Sequence, residues 1–241
     1  MNEDKKIIIT GASSGVGLSL CKLFHKKGFE VITVSRRKPD VDFPLSHYTT
    51  DLSDSNQTKS SAQKIKKEHG SIAYLINNAG VMIPGEVTGI TDAQLNQAIN
   101  VNALSALTFM QEFLPEMQKN NFGRIINLTS GAPLNCFPGY AAYSATKALL
   151  NAITVTAAKE NSERNIKINL MSPGPVRSEM SPAAKLEPEI CHPTIEYLMN
   201  LDEKGATGKF FWLGYEVPLF PDLAGVNWLE GIGNEKLIKV L

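Results

Sequence analysis

Residues 5–17 read Lys5-Lys6-Ile7-Ile8-Ile9-Thr10-Gly11-Ala12-Ser13-Ser14-Gly15-Val16-Gly17. The first six form a short run of strand length that is rich in β-branched residues. The helix that follows is marked by one apolar face: Leu18, Leu20, Leu23 and Phe24. In a strand–turn–helix unit, Gly11 permits the tight turn, Gly15 lets a pyrophosphate approach the backbone, and Gly17 allows close helix–strand packing. The helix N-terminus offers free N–H groups to an anion. The segment therefore predicts a dinucleotide-binding turn.

A second pattern lies in the middle of the chain, where Tyr143-Ser144-Ala145-Thr146-Lys147 begins thirteen residues after Ser130 (143 − 130). The surrounding residues favour a helix, on which positions four apart lie on the same face. The Lys147 ammonium is therefore expected close to the Tyr143 phenol. A nearby cation lowers the pKa of a tyrosine from its usual value of about 10. The pattern predicts a tyrosine that exchanges a proton with an alcohol or carbonyl.

Together these patterns resemble the short-chain dehydrogenases/reductases, and they occur in that family's order. The motifs that carry the resemblance are Thr10–Gly17, Asn77-Asn78-Ala79-Gly80, Asn102, Ser130, Tyr143-x-x-x-Lys147 and Pro173-Gly174. The resemblance implies a single Rossmann domain over residues 1–241 and a nicotinamide cofactor. The turn residues expected to bind it are Gly11, Ser13, Ser14, Gly15, Val16 and Gly17.

The order of the remaining elements agrees with an α/β fold. Further strands are predicted at Val31–Ser35, Tyr48–Leu52, Ala73–Asn77, Arg124–Leu128, Ile166–Met171 and Lys209–Leu213. Helices are predicted at Ser55–His69, Asp92–Lys119 and Ala141–Ser162. This alternation favours a doubly wound, mostly parallel sheet with helices on both faces, and ligands at the carboxyl ends of the strands. Residues from about 173 to 241 are expected to form a substrate loop and a C-terminal segment.

Composition narrows the function classes. The chain has 241 residues, which suits one α/β domain. Its 24 basic residues balance 24 acidic ones, which gives no reason to propose a nucleic-acid or anionic-membrane partner. A polar N-terminus and the lack of a long apolar segment predict a cytoplasmic protein. Cys191 and His192 are adjacent, but no further ligands follow at metal-site spacing, so no metal is assigned.

The cofactor type is predicted from the end of the second strand. Rossmann folds that bind NAD place an acidic residue there, whereas this chain has Ser35-Arg36-Arg37. Two guanidiniums can hold a phosphate through charge-assisted hydrogen bonds, and Arg36 stands where NADP-preferring members of the family place their selecting base. The prediction is NADP(H). By resemblance, Asp51-Leu52 would hold the adenine and Asn78-Ala79-Gly80 would pass beside the adenosine ribose.

The resemblance also implies a catalytic set. Tyr143 would be the general acid in carbonyl reduction and the general base in alcohol oxidation. Lys147 would lower its pKa and bind the nicotinamide ribose, so both residues would lie at the cofactor. Ser130 would hold the substrate oxygen, and Asn102 would anchor a water that relays protons from Lys147. Three neighbours compete for these roles: Thr129 with Ser130, Tyr140 with Tyr143, and Asn100 with Asn102. The thirteen-residue interval, the lysine at i+4 and the Val-Asn pattern favour the named residues.

The segment Pro173-Gly174-Pro175-Val176-Arg177-Ser178 resembles the loop that closes over the nicotinamide. Val176 would bind the carboxamide through its backbone, and Ser178 would contact phosphate or carboxamide. Three aromatic residues near the end of the chain, Phe210, Phe211 and Trp212, are predicted to lie in the core rather than at the substrate.

The predicted activity is NADPH-dependent reduction of a ketone or aldehyde, reversible as oxidation of a secondary alcohol, on a small-molecule substrate. The alternative is a non-catalytic dinucleotide-sensing protein with the same fold. A homodimer or homotetramer is expected, with contacts through Asp92–Lys119 and Ala141–Ser162. The segment 205–241 departs from the family's usual ending, and its tail Asp222–Leu241 is expected to cover the pocket or a subunit contact.

Overall fold

Seven parallel strands and one antiparallel strand form a single sheet in the computed structural model, which describes residues 5–220. The predicted tail Asp222–Leu241 lies outside these residues. The strands are β1 Lys6–Thr10, β2 Glu30–Ser35, β3 Ser46–Thr49, β4 Tyr74–Asn77, β5 Gly123–Leu128, β6 Ile166–Ser172, β7 Phe210–Trp212 and β8 Tyr215–Val217. Their spatial order is β3-β2-β1-β4-β5-β6-β7-β8, and only β7 and β8 pair antiparallel.

Helices cover both faces of this sheet. They are α1 Gly15–Lys26, α2 Ser55–His69, α3 Asp92–Ile99, α4 Ser105–Lys119, α5 Ala132–Asn135, α6 Ala141–Glu160 and α7 His192–Met199. Strand β1 shows the two layers: Ile7 and Ile9 pack in a cluster with α1 and α7, while Ile8 packs with α2 and α4. Burial of each such side chain stabilises the fold by about 1.5–3 kcal/mol. The predicted doubly wound α/β class is confirmed.

Local signals set most element boundaries. Helix α2 begins where predicted, because the Asp54 carboxylate accepts hydrogen bonds from the backbone N–H groups of Asn56 and Gln57. At α3 the Thr91 side chain accepts from the Gln94 N–H, and the Gln94 side chain accepts from the Thr91 N–H. This reciprocal pair is a capping box. Both caps satisfy N–H groups that have no partner within the helix.

Three expectations differ from the structure. The helix predicted at 92–119 is interrupted by one turn of π-helix over Asn100–Leu104, called the wide turn below. In this turn the Ser105 N–H donates to the Asn100 carbonyl five residues back. Strand β3 ends at Thr49, before Asp51 and Leu52, because the Asp51 carboxylate accepts from the Ser53 N–H and hydroxyl and turns the chain. Strand β8 was not predicted, since its three residues carry no pattern longer than a single alternation.

Candidate active site

The site lies at the carboxyl ends of the parallel strands. Along the chain, strands are first added on one side of β1 (β2 and β3) and then on its other side, beginning with β4. Open α/β sheets bind ligands at the point between the two strands where this change occurs, here between β1 and β4. A cavity of about 1100 Å³ opens there. The predicted residues that line it are Gly11, Ser13, Ser14, Gly15, Val16, Ser35, Arg36, Arg37, Asp51, Leu52, Asn78, Ala79, Gly80, Ser130, Tyr143, Pro173, Gly174, Val176 and Ser178. Gly17, Asn102 and Lys147 lie behind that lining.

The glycine turn is built by close backbone packing. A Cβ on Gly17 would lie 2.3 Å from the Gly11 carbonyl oxygen, so no larger residue fits between α1 and the turn. The Asn78 side chain fixes the turn against β4, because its amide donates to the Thr10 and Gly11 carbonyls, both at 2.9 Å. The Ser14 hydroxyl makes no capping hydrogen bond at the start of α1. The first-turn N–H groups of α1 are therefore directed toward the cavity without that internal acceptor.

Gly15 faces a second segment across this turn. Its φ of +53° lies in the left-handed region, which favours glycine. A Cβ at this position would lie 2.9 Å from the Ser178 Cβ, on the segment that follows β6. The turn and the segment 173–178 therefore meet over the same end of the cavity. This closeness requires glycine on the α1 side.

The structure brings Tyr143 and Lys147 together, as their spacing predicts. Both lie on α6, and the Lys147 Nζ is 5.9 Å from the centroid of the Tyr143 ring. The amine is buried and donates a 2.8 Å hydrogen bond to the Leu128 carbonyl at the end of β5. Ser130 follows β5 and lies beside Tyr143, where its hydroxyl lowers the tyrosine pKa. Strand β5 and helix α6 together hold the set.

The predicted fall in the Tyr143 pKa is not found. Burial raises the pKa of Tyr143, because desolvation disfavours the phenolate and outweighs the contribution of Ser130. Burial also lowers the pKa of Lys147 to about 8, because the ammonium form loses its hydration. The spacing of Tyr143 and Lys147 correctly predicts that their side chains are close, but it does not predict how deeply both are buried. Desolvation of both groups dominates the electrostatics of the site.

The contacts of Thr129, Asn100 and Tyr140 distinguish these residues from the predicted site residues Ser130, Asn102 and Tyr143. The Thr129 hydroxyl donates to the Asn151 side chain at 2.5 Å. Asn100 donates to the Ser53 carbonyl at 2.8 Å, away from α6. Tyr140 lines the cavity like Tyr143 but has no lysine one turn along its helix.

Asn102 lies in the wide turn between α3 and α4 and is fully buried. Its Oδ1 accepts from the Val81 N–H at 2.7 Å, and its Nδ2 donates to the Val81 carbonyl and to the Thr146 hydroxyl, each at 2.9 Å. Thr146 in turn donates to the Tyr143 carbonyl at 2.9 Å. Asn102 therefore ties the segment after β4 to the turn of α6 that carries Tyr143.

The arginines lie at the other end of the cavity, beyond β2. The Ser35 hydroxyl donates to the Arg37 carbonyl at 2.7 Å and shapes this turn. Arg36 is exposed on the cavity wall, whereas Arg37 forms an exposed ion pair with Glu179, the residue after Ser178. Hydrogen bonds from Ser53 hold the pKa of Asp51 below its usual range, with a smaller contribution from Arg36. This end of the cavity is polar and carries charges of both signs, with the Arg36 guanidinium outside the Arg37–Glu179 ion pair.

The prediction that the three aromatic residues lie in the core is wrong for Trp212. Phe210 and Phe211 are buried, and Phe210 also reaches the cavity wall. Trp212 is 44% exposed and lines the cavity, where its Nε1 would lie 3.0 Å from a Cβ on Gly174. Successive side chains of a strand point to opposite faces of the sheet, so the sequence alone indicates that Trp212 and Phe211 face different sides. Met180, at the start of the segment 180–198 that sequence reasoning linked to substrate choice, lines the cavity, whereas Leu134, Phe137 and Val217 were missed as lining residues.

Two further features bear on the function class. Between residues 5 and 220, no helix combines the length and apolar character needed to cross a membrane. Over the same residues, no group of three or more His, Cys, Asp or Glu side chains is arranged to hold a metal ion.

Comparison with known proteins places this architecture in a family. The family model described as short chain dehydrogenase matches residues 5–188. The uncharacterized oxidoreductase YvrD of Bacillus subtilis is 33% identical over 186 residues, which are 73% of this chain and 70% of that protein. The 3-oxoacyl-(acyl-carrier-protein) reductase FabG of Thermotoga maritima is 31% identical over 74% of this chain and 77% of its own.

Solved structures agree with these matches. A 4-hydroxyisoleucine dehydrogenase complexed with NADH has a TM-score of 0.79 and 30% identity, covering 86% of this chain and 96% of its own. ElxO with NADP bound has a TM-score of 0.78 and 27% identity, covering 88% of this chain and 97% of its own. Because the family model covers residues 5–188, well over half of the sequence, this chain belongs to the short-chain dehydrogenase family.

Proposed function

We propose that this protein is an NADPH-dependent oxidoreductase that reduces a ketone or aldehyde and, in reverse, oxidises the alcohol. The observation that carries the proposal is the meeting of Ser130 and Tyr143 on the cavity wall with the buried Lys147 amine behind them. These are a hydrogen-bond donor, a proton donor and a cation, the groups that carbonyl reduction requires. We also propose that residues 1–241 form a single Rossmann domain.

The cavity fits a dinucleotide at the glycine turn. The open N–H groups at the start of α1 suit a pyrophosphate. No carboxylate follows β2, and Arg36 and Arg37 stand there instead. A carboxylate would repel a 2′-phosphate, whereas guanidiniums bind one bidentately. Of the two solved neighbours above, one holds NADH and the other NADP. The choice of NADP(H) therefore rests on the two arginines.

A bound nicotinamide dinucleotide would supply the hydride to the carbonyl carbon. Tyr143 would give its phenolic proton to the carbonyl oxygen, and the Ser130 hydroxyl would donate a hydrogen bond to the same oxygen as negative charge develops. The raised pKa of Tyr143 keeps the phenol protonated at neutral pH, which suits the proton donor of the reductive direction. The Lys147 ammonium, close to the ring, would stabilise the phenolate left behind.

Asn102 is proposed to support this step by holding in place the turn of α6 that carries Tyr143. Three hydrogen bonds fix its amide, and one of them reaches Thr146 on the turn that carries Tyr143. A Cβ on Gly80 would lie 3.5 Å from the Asn102 Oδ1 and 3.6 Å from the Lys147 Nζ, so both atoms approach the same point. A water bound between them would relay protons from Lys147.

The test compares Tyr143→Phe with Tyr140→Phe, which alters a second cavity tyrosine that has no lysine partner. Loss of NADPH absorbance is followed with a panel of ketones and aldehydes. Tyr143→Phe should lower kcat by about 10²- to 10⁴-fold while NADPH still binds, and Tyr140→Phe should stay within a few-fold of wild type. Equal turnover by Tyr143→Phe would reject the mechanism. NADPH binding without turnover of any carbonyl by wild type would favour the non-catalytic dinucleotide sensor.

A further inference from the structure

Charge is distributed unevenly along the cavity. Among the described residues that line it, four carry charged side chains: Arg36, Arg37, Asp51 and Glu179. Arg36 and Arg37 follow β2, Asp51 follows β3, and Glu179 pairs with Arg37, so all four lie at the end assigned to the adenosine. Within residues 5–220, the end around Ser130 and Tyr143 is lined by none. The nearest cation, Lys147, lies behind Tyr143 and donates to the Leu128 carbonyl.

The walls at this uncharged end carry apolar side chains that water reaches. Leu134 and Phe137, between β5 and α6, are 44% and 54% exposed. Met180 and Trp212, from the segment after β6 and from β7, are 39% and 44% exposed. Single exposed apolar side chains are common on proteins, but a group of them around one cavity marks a binding surface. All four belong to the cavity lining, so a molecule inside the cavity would cover them.

Within residues 5–220, a charged substrate group would find no oppositely charged side chain at this end. A carboxylate that leaves water without a counter-ion or several donors loses its hydration uncompensated. The side-chain donors that line this end are uncharged: Ser130 and Tyr143 are assigned to the carbonyl oxygen, the Asn135 amide donates to the Gly131 carbonyl at 2.7 Å, and Tyr140 and Trp212 carry a hydroxyl and an indole N–H. An uncharged apolar group has no such cost, and it gains about 25 cal/mol for each Å² of apolar surface removed from water.

We infer that the substrate is an uncharged carbonyl compound with a bulky apolar group, which packs between Phe137 and Trp212 while its carbonyl oxygen faces Ser130 and Tyr143. The inference rests on the proposed function and narrows it to one substrate class. Carbonyl compounds that carry a carboxylate or phosphate on the group packed between these walls are excluded from that class. Small ketones such as acetone react, but without the contribution of the apolar walls.

The experiment uses the full chain with NADPH and three ketones: acetophenone, para-carboxyacetophenone and acetone. We expect kcat/KM for acetophenone to exceed that for the carboxylated compound by at least about 100-fold, since burial of an unpaired charge costs several kcal/mol. Leu134→Arg, which adds a cation at the uncharged end, should reduce this ratio at least about tenfold. Equal or better turnover of the carboxylated ketone by wild type would overturn the inference.

A second comparison tests the apolar walls. Phe137→Ala should lower kcat/KM for acetophenone about tenfold through KM and leave acetone within about two-fold. Tyr197→Ala is the control, because Tyr197 is exposed to a similar degree, 55%, but lies outside the cavity lining. Indistinguishable effects of the two substitutions would contradict the inference.

A binding measurement distinguishes failure of the proposed reaction from failure of the inference about the substrate. If wild type reduces none of the three ketones, calorimetry with the NADPH-loaded protein decides between the explanations. Binding of acetophenone but not of the carboxylated ketone would support the inference on the pocket and reject the reaction. Binding of neither compound, or preference for the carboxylated one, would reject the inference itself.

Discussion

Replacing Lys147 by methionine should make the stability of the fold less dependent on pH. The Lys147 amine is fully buried, and burial lowers its pKa from 10.5 to about 8. In the unfolded chain the amine has its ordinary pKa, so the unfolded state binds the proton more tightly than the folded state. The stability contributed by this group is therefore lowest below pH 8 and increases as pH rises from about 8 to 10.5. Methionine removes the titrating group and keeps most of the apolar stem.

The magnitude follows from the shift. A difference of about 2.5 pKa units corresponds to about 3 kcal/mol of unfavourable free energy in the folded protein at pH 7. Roughly 1 kcal/mol of this cost is removed as pH rises from 7 to 9. At pH 7 the methionine variant loses this cost but leaves the Leu128 carbonyl without its donor, which costs about 1–3 kcal/mol. The net gain in stability at pH 7 is therefore between zero and about 2 kcal/mol.

The assay is urea unfolding of the cofactor-free protein at pH 7 and pH 9, followed by circular dichroism. Burial raises the pKa of Cys21 and of Cys191 to about 12, so these thiols reduce stability as pH rises above 9. They are common to both proteins and cancel in the difference. Lys59→Met, at an exposed position of α2, is the control and should keep the wild-type response. If Lys147→Met shows the same change in unfolding free energy between the two pH values as wild type, the burial argument is refuted.

Three other outcomes are expected. Arg36→Ala should raise KM for NADPH by about 10- to 100-fold, the value of one or two charge-assisted hydrogen bonds, and leave KM for NADH unchanged. Lys38→Ala, at an exposed basic position outside the cavity lining, should change neither KM, and an equal effect of Arg36→Ala on both cofactors would count against 2′-phosphate recognition. Gly15→Ala should weaken NADPH binding about tenfold, because the added methyl meets Ser178 and the φ is positive. Gly28→Ala has a similar positive φ but no atom within 4 Å, so titration should show unchanged NADPH affinity; a loss equal to that of Gly15→Ala would exclude the steric explanation. Light scattering at micromolar concentration should give a dimer or tetramer, since α6 exposes Leu149 and the wide turn exposes Leu104; a monomer mass would exclude the proposed assembly.

Much of the fold could be predicted because its signals are local. The run Ile7–Ile9 and the glycines after it specify strand, turn and helix within about a dozen residues, and Asp54 marks the start of α2. The relation between Tyr143 and Lys147 is also local, since both lie one turn apart on the same helix. These features need no knowledge of distant packing.

What could not be predicted depends on tertiary packing. The pKa of Tyr143 is decided by how deeply the sheet and helices bury it, and spacing along α6 contains no such information. The exposure of Trp212 depends on the position of β7 next to the edge of the sheet, where its outer neighbour is the short edge strand β8. The break between α3 and α4 lies at a point where no glycine or proline marks the end of a helix, although Asn100 and Asn102 are weak helix formers. In each case contacts far apart in sequence outweigh the local preference.

The wide turn Asn100–Leu104 also fixes the rotational phase between the two helices it joins. Each residue of a regular α-helix advances the side chain by about 100°, and a turn closed by an i→i+5 bond contains one extra residue. The inner faces of α3 and α4 are therefore offset by about that angle, and this offset allows Asn102 to face Val81 while Phe109 and Phe113 face the sheet. Deleting one residue here would give a straighter helix with better backbone hydrogen bonds, but it would rotate one of those faces away from its partner. The number of residues at this point in the chain is thus constrained as well as the identity of Asn102.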